Sequence, residues 1–139
     1  MAADDLLASY RRIPLFAACT KKDLRTVTQQ SERVRVGPGH VLTGEGQLGR
    51  EFFVIVAGDA RVSRNGRRVG TLGPGDAFGE LALLDGGART ATVVAETPME
   101  LLVLTRPAFV KMLDETPGFA MALLCGVARR LQEADSRTL

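Results

Sequence analysis

Most of the chemistry open to this chain lies in one stretch, Gly75-Asp76-Ala77-Phe78-Gly79-Glu80-Leu81-Ala82-Leu83-Leu84-Asp85-Gly86-Gly87-Ala88-Arg89-Thr90-Ala91-Thr92-Val93. A strand predicted to end at Phe78 meets Gly79, where the missing side chain lets backbone approach a ligand closely. A short helical turn is predicted to begin near Glu80, and its first amides, unpaired and pointing outward, suit an anion. Asp85-Gly86-Gly87 ends that turn, and Arg89 follows at the mouth of the next strand, about where such an anion would sit. A guanidinium is permanently charged and presents a planar fork of donors, so it can grip two phosphate oxygens at once. Taken singly, Arg89 also reads as a solvated strand-end arginine, and Glu80 as a helix-start acid favoured by the dipole.

The elements needed to position this stretch are legible on either side of it. Leu6, Leu7 and Tyr10 fall at helical spacing, with a stop at Pro14. A second helix is predicted after Thr20, which with Asp23 forms a capping box ahead of Leu24 and Val27. From Glu32 the period changes to the strict alternation of Arg33-Val34-Arg35-Val36, and Gly37-Pro38-Gly39 forces a turn. Short strand-like runs follow at 40–42, 51–56, 60–64, 67–72, 91–95 and 99–104, with the hairpin signal Asn65-Gly66 between two of them. Many short strands separated by glycine-rich turns indicate an antiparallel sandwich or barrel over about residues 32–105. Pro107 opens a helix through Leu113, and Pro117-Gly118 separates it from a last helix. There Phe119, Leu123, Val127 and Leu131 recur every four residues with Leu124 and Ala128 beside them. That stripe is read first as packing on the domain's own barrel, and otherwise as a dimer seam or a lid on a ligand.

Composition bounds what kind of protein this is. The 139 residues fit one domain, and 45% hydrophobic with 24% charged residues is an ordinary globular balance. The formal net charge is only +2, and the basic residues come as scattered pairs such as Arg11-Arg12 and Arg67-Arg68. A nucleic-acid footprint needs a clustered basic face, so no direct nucleic-acid binding is expected. Cys19 and Cys125 lie far apart in apolar surroundings and read as small core residues in a reducing compartment. The acidic N-terminus lacks a signal-peptide pattern and no run approaches a membrane span, so the expected location is the cytoplasm, with no membrane partner. Glu45 and Asp76 flank glycines and read as turn residues, and His40 is expected to open a strand at the surface.

Phe78-Gly79-Glu80-Leu81-Ala82-Leu83, followed by Arg89 directly before Thr90-Ala91-Thr92-Val93, resembles the phosphate-binding cassette of the cyclic-nucleotide-binding domain family. That family includes the bacterial catabolite activator protein and the regulatory subunits of cyclic-AMP-dependent kinase. Ile13-Pro14-Leu15-Phe16, Gly44-Glu45-Gly46 and the run from Phe53 to Gly58 resemble its entry helix, early turn and following strand, so similarity covers nearly the whole chain. The resemblance implies a mainly β fold with flanking helices: an eight-stranded antiparallel jelly-roll barrel or sandwich with N-terminal helices over 1–31, the β-roll over 32–105 with its cassette at 78–93, and C-terminal helices over 106–139. Residues 1–139 would form a single cyclic-nucleotide-binding domain.

The resemblance also implies roles. Arg89 would pair with the cyclic phosphate, helped by backbone N–H groups at Ala82 and Thr90, with Phe78, Gly79, Leu81 and Ala91 completing the cassette. Glu80 would accept a hydrogen bond from the ribose 2′-hydroxyl, the only free ribose hydroxyl of a 3′,5′-cyclic nucleotide. Val69 and Leu72 are candidates for an apolar wall beside the base, or for core packing. Thr90 is a residue type associated with cyclic GMP in some eukaryotic members and accepted by bacterial cyclic AMP binders; cyclic AMP is expected ahead of cyclic GMP. In the family's bacterial activators, hydroxyl residues on the last helix contact adenine, whereas here Glu133, Ala134 and Asp135 follow the matching stretch. Arg130 reads either as a partner for Glu80 or cover for the base, or as part of a solvated face.

The resulting expectation is a regulatory sensor that is not an enzyme, needs no cofactor beyond its ligand, and signals through its C-terminal helices to an effector. A cupin-like metalloenzyme on the same kind of fold would draw on several His and carboxylate ligands, and the chain has one His. A DNA-binding regulator would carry a helix-turn-helix after the last helix, yet about eight residues follow Leu131. The chain is therefore expected to signal through a partner protein, or to be the sensory portion of a longer polypeptide, with a homodimer through the last helix as a further option. A degenerate domain that keeps the fold for protein contacts would have no need of Glu80 and Arg89.

Overall fold

The computed structural model describes residues 10–79 and 87–138, with side chains as far as Arg129 together with that of Gln132. A 3-10 turn at Pro14–Phe16 precedes helix α1 (Lys21–Gln30). Eight strands follow: β1 (Glu32–Val36), β2 (Val41–Thr43), β3 (Glu51–Ala57), β4 (Ala60–Arg64), β5 (Arg67–Leu72), β6 (Ala77–Phe78), β7 (Thr92–Ala95) and β8 (Met99–Thr105). Helices α2 (Arg106–Glu115) and α3 (Pro117–Thr138) complete the chain. The strands form two four-stranded antiparallel sheets, β1-β8-β3-β6 and β2-β7-β4-β5, which face each other as a jelly-roll sandwich.

The apolar runs of β3 and β8 are continuous because the sheet they share is covered on both faces. Phe53 and Ile55 of β3, with Met99, Leu101 and Val103 of β8, point between the sheets toward Ala60, Phe78, Val93 and Ala95. The alternate residues Phe52, Val54, Leu102 and Leu104 point the other way, onto Phe16, Leu24, Val27, Phe109, Met112 and Phe119 of the helical layer. Phe52, Phe109 and Phe119 meet there with ring centroids 4.8–6.1 Å apart, two of the three pairs edge-to-face.

Local signals agree with this arrangement. Thr20 and Asp23 each accept the other's backbone N–H at 3.1 Å, forming the capping box that starts α1. Asn65 and Gly66 both take positive φ, 54° and 76°, as a type I′ turn between β4 and β5 requires. Thr105 caps α2, with Pro107 in its first turn.

Two expectations need correction. Cys19 is buried, and burial, reinforced by nearby Asp23, pushes its thiol up to about 11, but Cys125 is exposed on α3 and is not a core residue. On α3, Phe119 and Leu123 enter the helical core while Leu124 is 64% exposed and Ala128 is exposed, so the stripe is narrower than the sequence suggests. The helix turns its 119/123 face to the barrel and leaves Met121, Leu124, Cys125 and Ala128 on the other side. No helix among the described residues is long and apolar enough to cross a membrane.

The N-terminal segment is tied to the first sheet by a polar cluster. Arg33 donates from Nε to Glu100 Oε1 at 2.6 Å, Arg35 approaches the same oxygen at 3.5 Å, and buried Tyr10 lies beside Arg33. The hydrogen bond from Arg33 holds the Glu100 carboxyl below the usual glutamate range. A depressed folded-state pKa stabilises the protein above the unfolded value, and that stabilisation is lost as pH falls through the folded one. Wild type is therefore expected to lose more thermal stability than Glu100→Gln between about pH 6 and pH 3. Parallel melting curves for the two proteins over that range would contradict the assignment.

Candidate functional site

The strand β6 is two residues long, and its Phe78 ring stacks on Phe53 of β3 at 4.8 Å and 13° between planes. This stack ends the interior of the sandwich and delivers the chain to Gly79. There φ is +98°, a conformation open to glycine and strained for other residues. The space is equally restrictive: a Cβ built on Gly79 would lie 2.6 Å from Arg89 Nη1 and 2.8 Å from the Glu51 carbonyl oxygen. The glycine next to Phe78 is thus required by the arginine ten residues later.

Arg89 is only 9% exposed. It donates from Nη1 to the Gly79 carbonyl at 3.0 Å and from Nη2 to the Glu51 carbonyl at 2.6 Å, with Cζ 5.8 Å from the centroid of the Phe53 ring. A guanidinium cannot lose its proton on burial, so the fold must solvate it, and carbonyl dipoles with an aromatic face do so here. Its main chain is clamped as firmly as its side chain. The Arg89 N–H donates to the Gln47 carbonyl at 2.7 Å and its carbonyl accepts from Gly46 N–H at 2.9 Å, while Leu48 and Ala88 pair as an antiparallel bridge. Further along, Thr43 Oγ1 donates to the Ala91 carbonyl at 3.1 Å, and Thr92 Oγ1 accepts from Glu45 N–H at 3.0 Å.

Of the residues expected to form a site, Phe78, Gly79 and Arg89 are brought together. Thr90 is exposed directly beside Arg89, and Ala91 is half-buried. Val69 is 56% exposed on β5, whereas Leu72 is half-buried against the inter-sheet core. Glu80, Leu81 and Ala82 lie outside the described residues, as does the Arg130 side chain. Sequence reading did not find the carbonyls of Glu51 and Gln47, because a main-chain acceptor carries no residue signature. It also placed Phe53 in a core strand without its second role under the guanidinium. The short motif Gly44-Glu45-Gly46 was the available pointer to the turn that holds Arg89.

Comparison with known proteins identifies the family. Residues 33–116, from β1 to the end of α2, match the family model for the cyclic nucleotide-binding domain. The chain is 33% identical over 127 residues to the cyclic AMP receptor protein of Thermus thermophilus, an alignment covering 88% of this chain and 59% of that protein. The crystal structure of the Thermus thermophilus catabolite activator protein superposes with a TM-score of 0.83 at 33% identity, over 90% of this chain and 61% of that one. A co-crystal structure of the regulatory domain of Toxoplasma gondii PKA with cAMP superposes with a TM-score of 0.69 at 34% identity, over 78% of this chain and 43% of that one. The chain thus spans less than two thirds of the length of these relatives. With the matched segment covering both sheets and the strands that fix Arg89, this chain belongs to the cyclic nucleotide-binding domain family.

Proposed function

We propose that residues 1–139 form one cytoplasmic sensory domain that binds a 3′,5′-cyclic nucleotide, cyclic AMP ahead of cyclic GMP, and transmits its occupancy to an effector through the C-terminal helices. The observation that carries this reading is the bond from Arg89 to the Gly79 carbonyl, which joins the two ends of the cassette around one fixed positive charge. In this reading Arg89 grips the cyclic phosphate with the amides of Ala82 and Thr90, and Glu80 accepts from the ribose 2′-hydroxyl. Exposed Val69 offers apolar surface to the base, while the packing of Leu72 favours a core role for it. The preference for cyclic AMP draws on a relative named as a receptor for it and on a regulatory domain crystallised with it. The module is regulatory, and the chemistry proposed for it is recognition without bond breaking.

The exposed residues Met121, Leu124, Cys125 and Ala128 of α3 recur at three- and four-residue intervals, which makes one helical face. We read this face as the output surface, toward an effector domain, a partner protein or a second copy of the chain. Ligand can change its state only through a difference in affinity between two arrangements.

A thermal-shift panel tests the ligand. Cyclic AMP at a hundredfold over its dissociation constant should stabilise the fold by about 2.7 kcal/mol, several degrees for a domain of this size, with less from cyclic GMP and none from linear monophosphates. A flat panel contradicts the reading. Arg89→Ala should weaken cyclic AMP binding by about 2–5 kcal/mol, because it leaves the phosphate without its charge partner. Calorimetry finding the variant within about twofold of wild type would remove Arg89 from the site.

A further inference from the structure

A two-residue hairpin leaves the N–H of its first turn residue pointing away from the ladder, so the amide of Asn65 has no partner within the β4–β5 hairpin itself. Glu45 supplies one from twenty residues away: its two carboxylate oxygens accept this amide at 2.9 and 3.1 Å. Glu45 belongs to the turn between β2 and β3, whose next two residues hold the main chain of Arg89 through Gly46 N–H and the Gln47 carbonyl. From the hairpin side Arg64, the residue before Asn65, donates from Nε to the carbonyl of Thr90 at 3.1 Å. These bonds close a ring running from Arg89 and Thr90 through the 45–47 turn to the hairpin tip and back. The turn contains Gly44 and Gly46, the latter at φ +83°, so its own backbone has little intrinsic stiffness.

We propose that Glu45 is a positioning residue for the anion grip: its carboxylate holds the hairpin tip against the turn that fixes Arg89, so affinity depends on a side chain whose hydrogen-bond partner is the hairpin. This rests on Arg89 being the phosphate-binding group. By reciprocity, a ligand that draws on Arg89 tightens the hairpin tip.

Calorimetry with cyclic AMP, paired with amide hydrogen exchange on the ligand-free protein, tests it. Glu45→Ala should weaken binding at least about fivefold, while Glu45→Gln, which keeps an acceptor oxygen, should stay within about twofold of wild type. In Glu45→Ala, exchange should speed up at Gly46 and Arg89 as well as at Asn65. Arg64→Ala opens the ring from its other end on an exposed residue, and carries the same test should Glu45→Ala not fold. The double variant should be less impaired than the two single effects multiplied, because a ring already open loses little on a second cut. Unchanged affinity in Glu45→Ala, faster exchange confined to Asn65, or fully multiplicative single effects would each overturn the proposal. If wild type binds no cyclic nucleotide, the ligand reading fails on its own, and the exchange rates at Gly46 and Arg89 still decide whether Glu45 holds the turn.

Discussion

The solvation of one buried guanidinium organises this end of the molecule. Arg89 keeps its charge at any pH the fold survives, so its surroundings must replace the water it has lost. They do so with two carbonyl oxygens, one just past β6 and one at the start of β3, and an aromatic ring that the same sandwich interior already holds in place. Each provider has its own condition. The Gly79 carbonyl is aimed at the arginine by a backbone turn with positive φ, the Glu51 carbonyl opens β3, and the Phe53 ring is kept flat against Phe78. A permanent charge held in a site of low polarisability attracts an anion far more strongly than one on an open surface, so the arrangement that buries Arg89 also suits it to the phosphate-binding role we propose for it.

Much of the scaffold was readable from residue order alone. The capping box at Thr20, the Asn65-Gly66 turn and the eight strand-like runs follow from local rules, and the first two rest on contacts between near neighbours in the chain. What was not readable depends on which face of an element meets which layer. Leu124 and Cys125 fall within a helical pattern that looks apolar all round, and only the position of the barrel decides that Phe119 and Leu123 go inward. Likewise the apolar run of β3 does not reveal that Phe52 belongs to the helical core and Phe53 to the sandwich. At the site, the residue types of Gly79 and Arg89 were informative because each has a property no other residue shares. The Glu51 and Gln47 contributions use peptide groups, which every residue has. Glu45 looked like an ordinary turn residue because its target lies on another hairpin.

The two-sided cover of the first sheet places the helical layer and Arg89 on opposite faces of β3. Phe52 and Phe53 are consecutive, one packed on Phe109 and Phe119 and the other beneath Arg89. A change in how β3 sits is felt by both layers at once, because packed interiors have no slack to absorb it. Through this one strand the helical layer is mechanically linked to the ring that lies under Arg89.

The pairing of β1 with β8 has a different consequence, for biosynthesis. Glu32 lies opposite Val103 and Val36 opposite Met99, so the first described strand waits for the last described one before its ladder can form. Between them β3 also finds its longest partner in β8. A nascent chain interrupted before β8 has emerged would carry the Phe52–Val56 run with unpaired edges, a segment prone to intermolecular β-pairing. Such a topology, rich in distant contacts, folds slowly for its size, and the ribosome must release the chain as far as Thr105 before the first sheet can close.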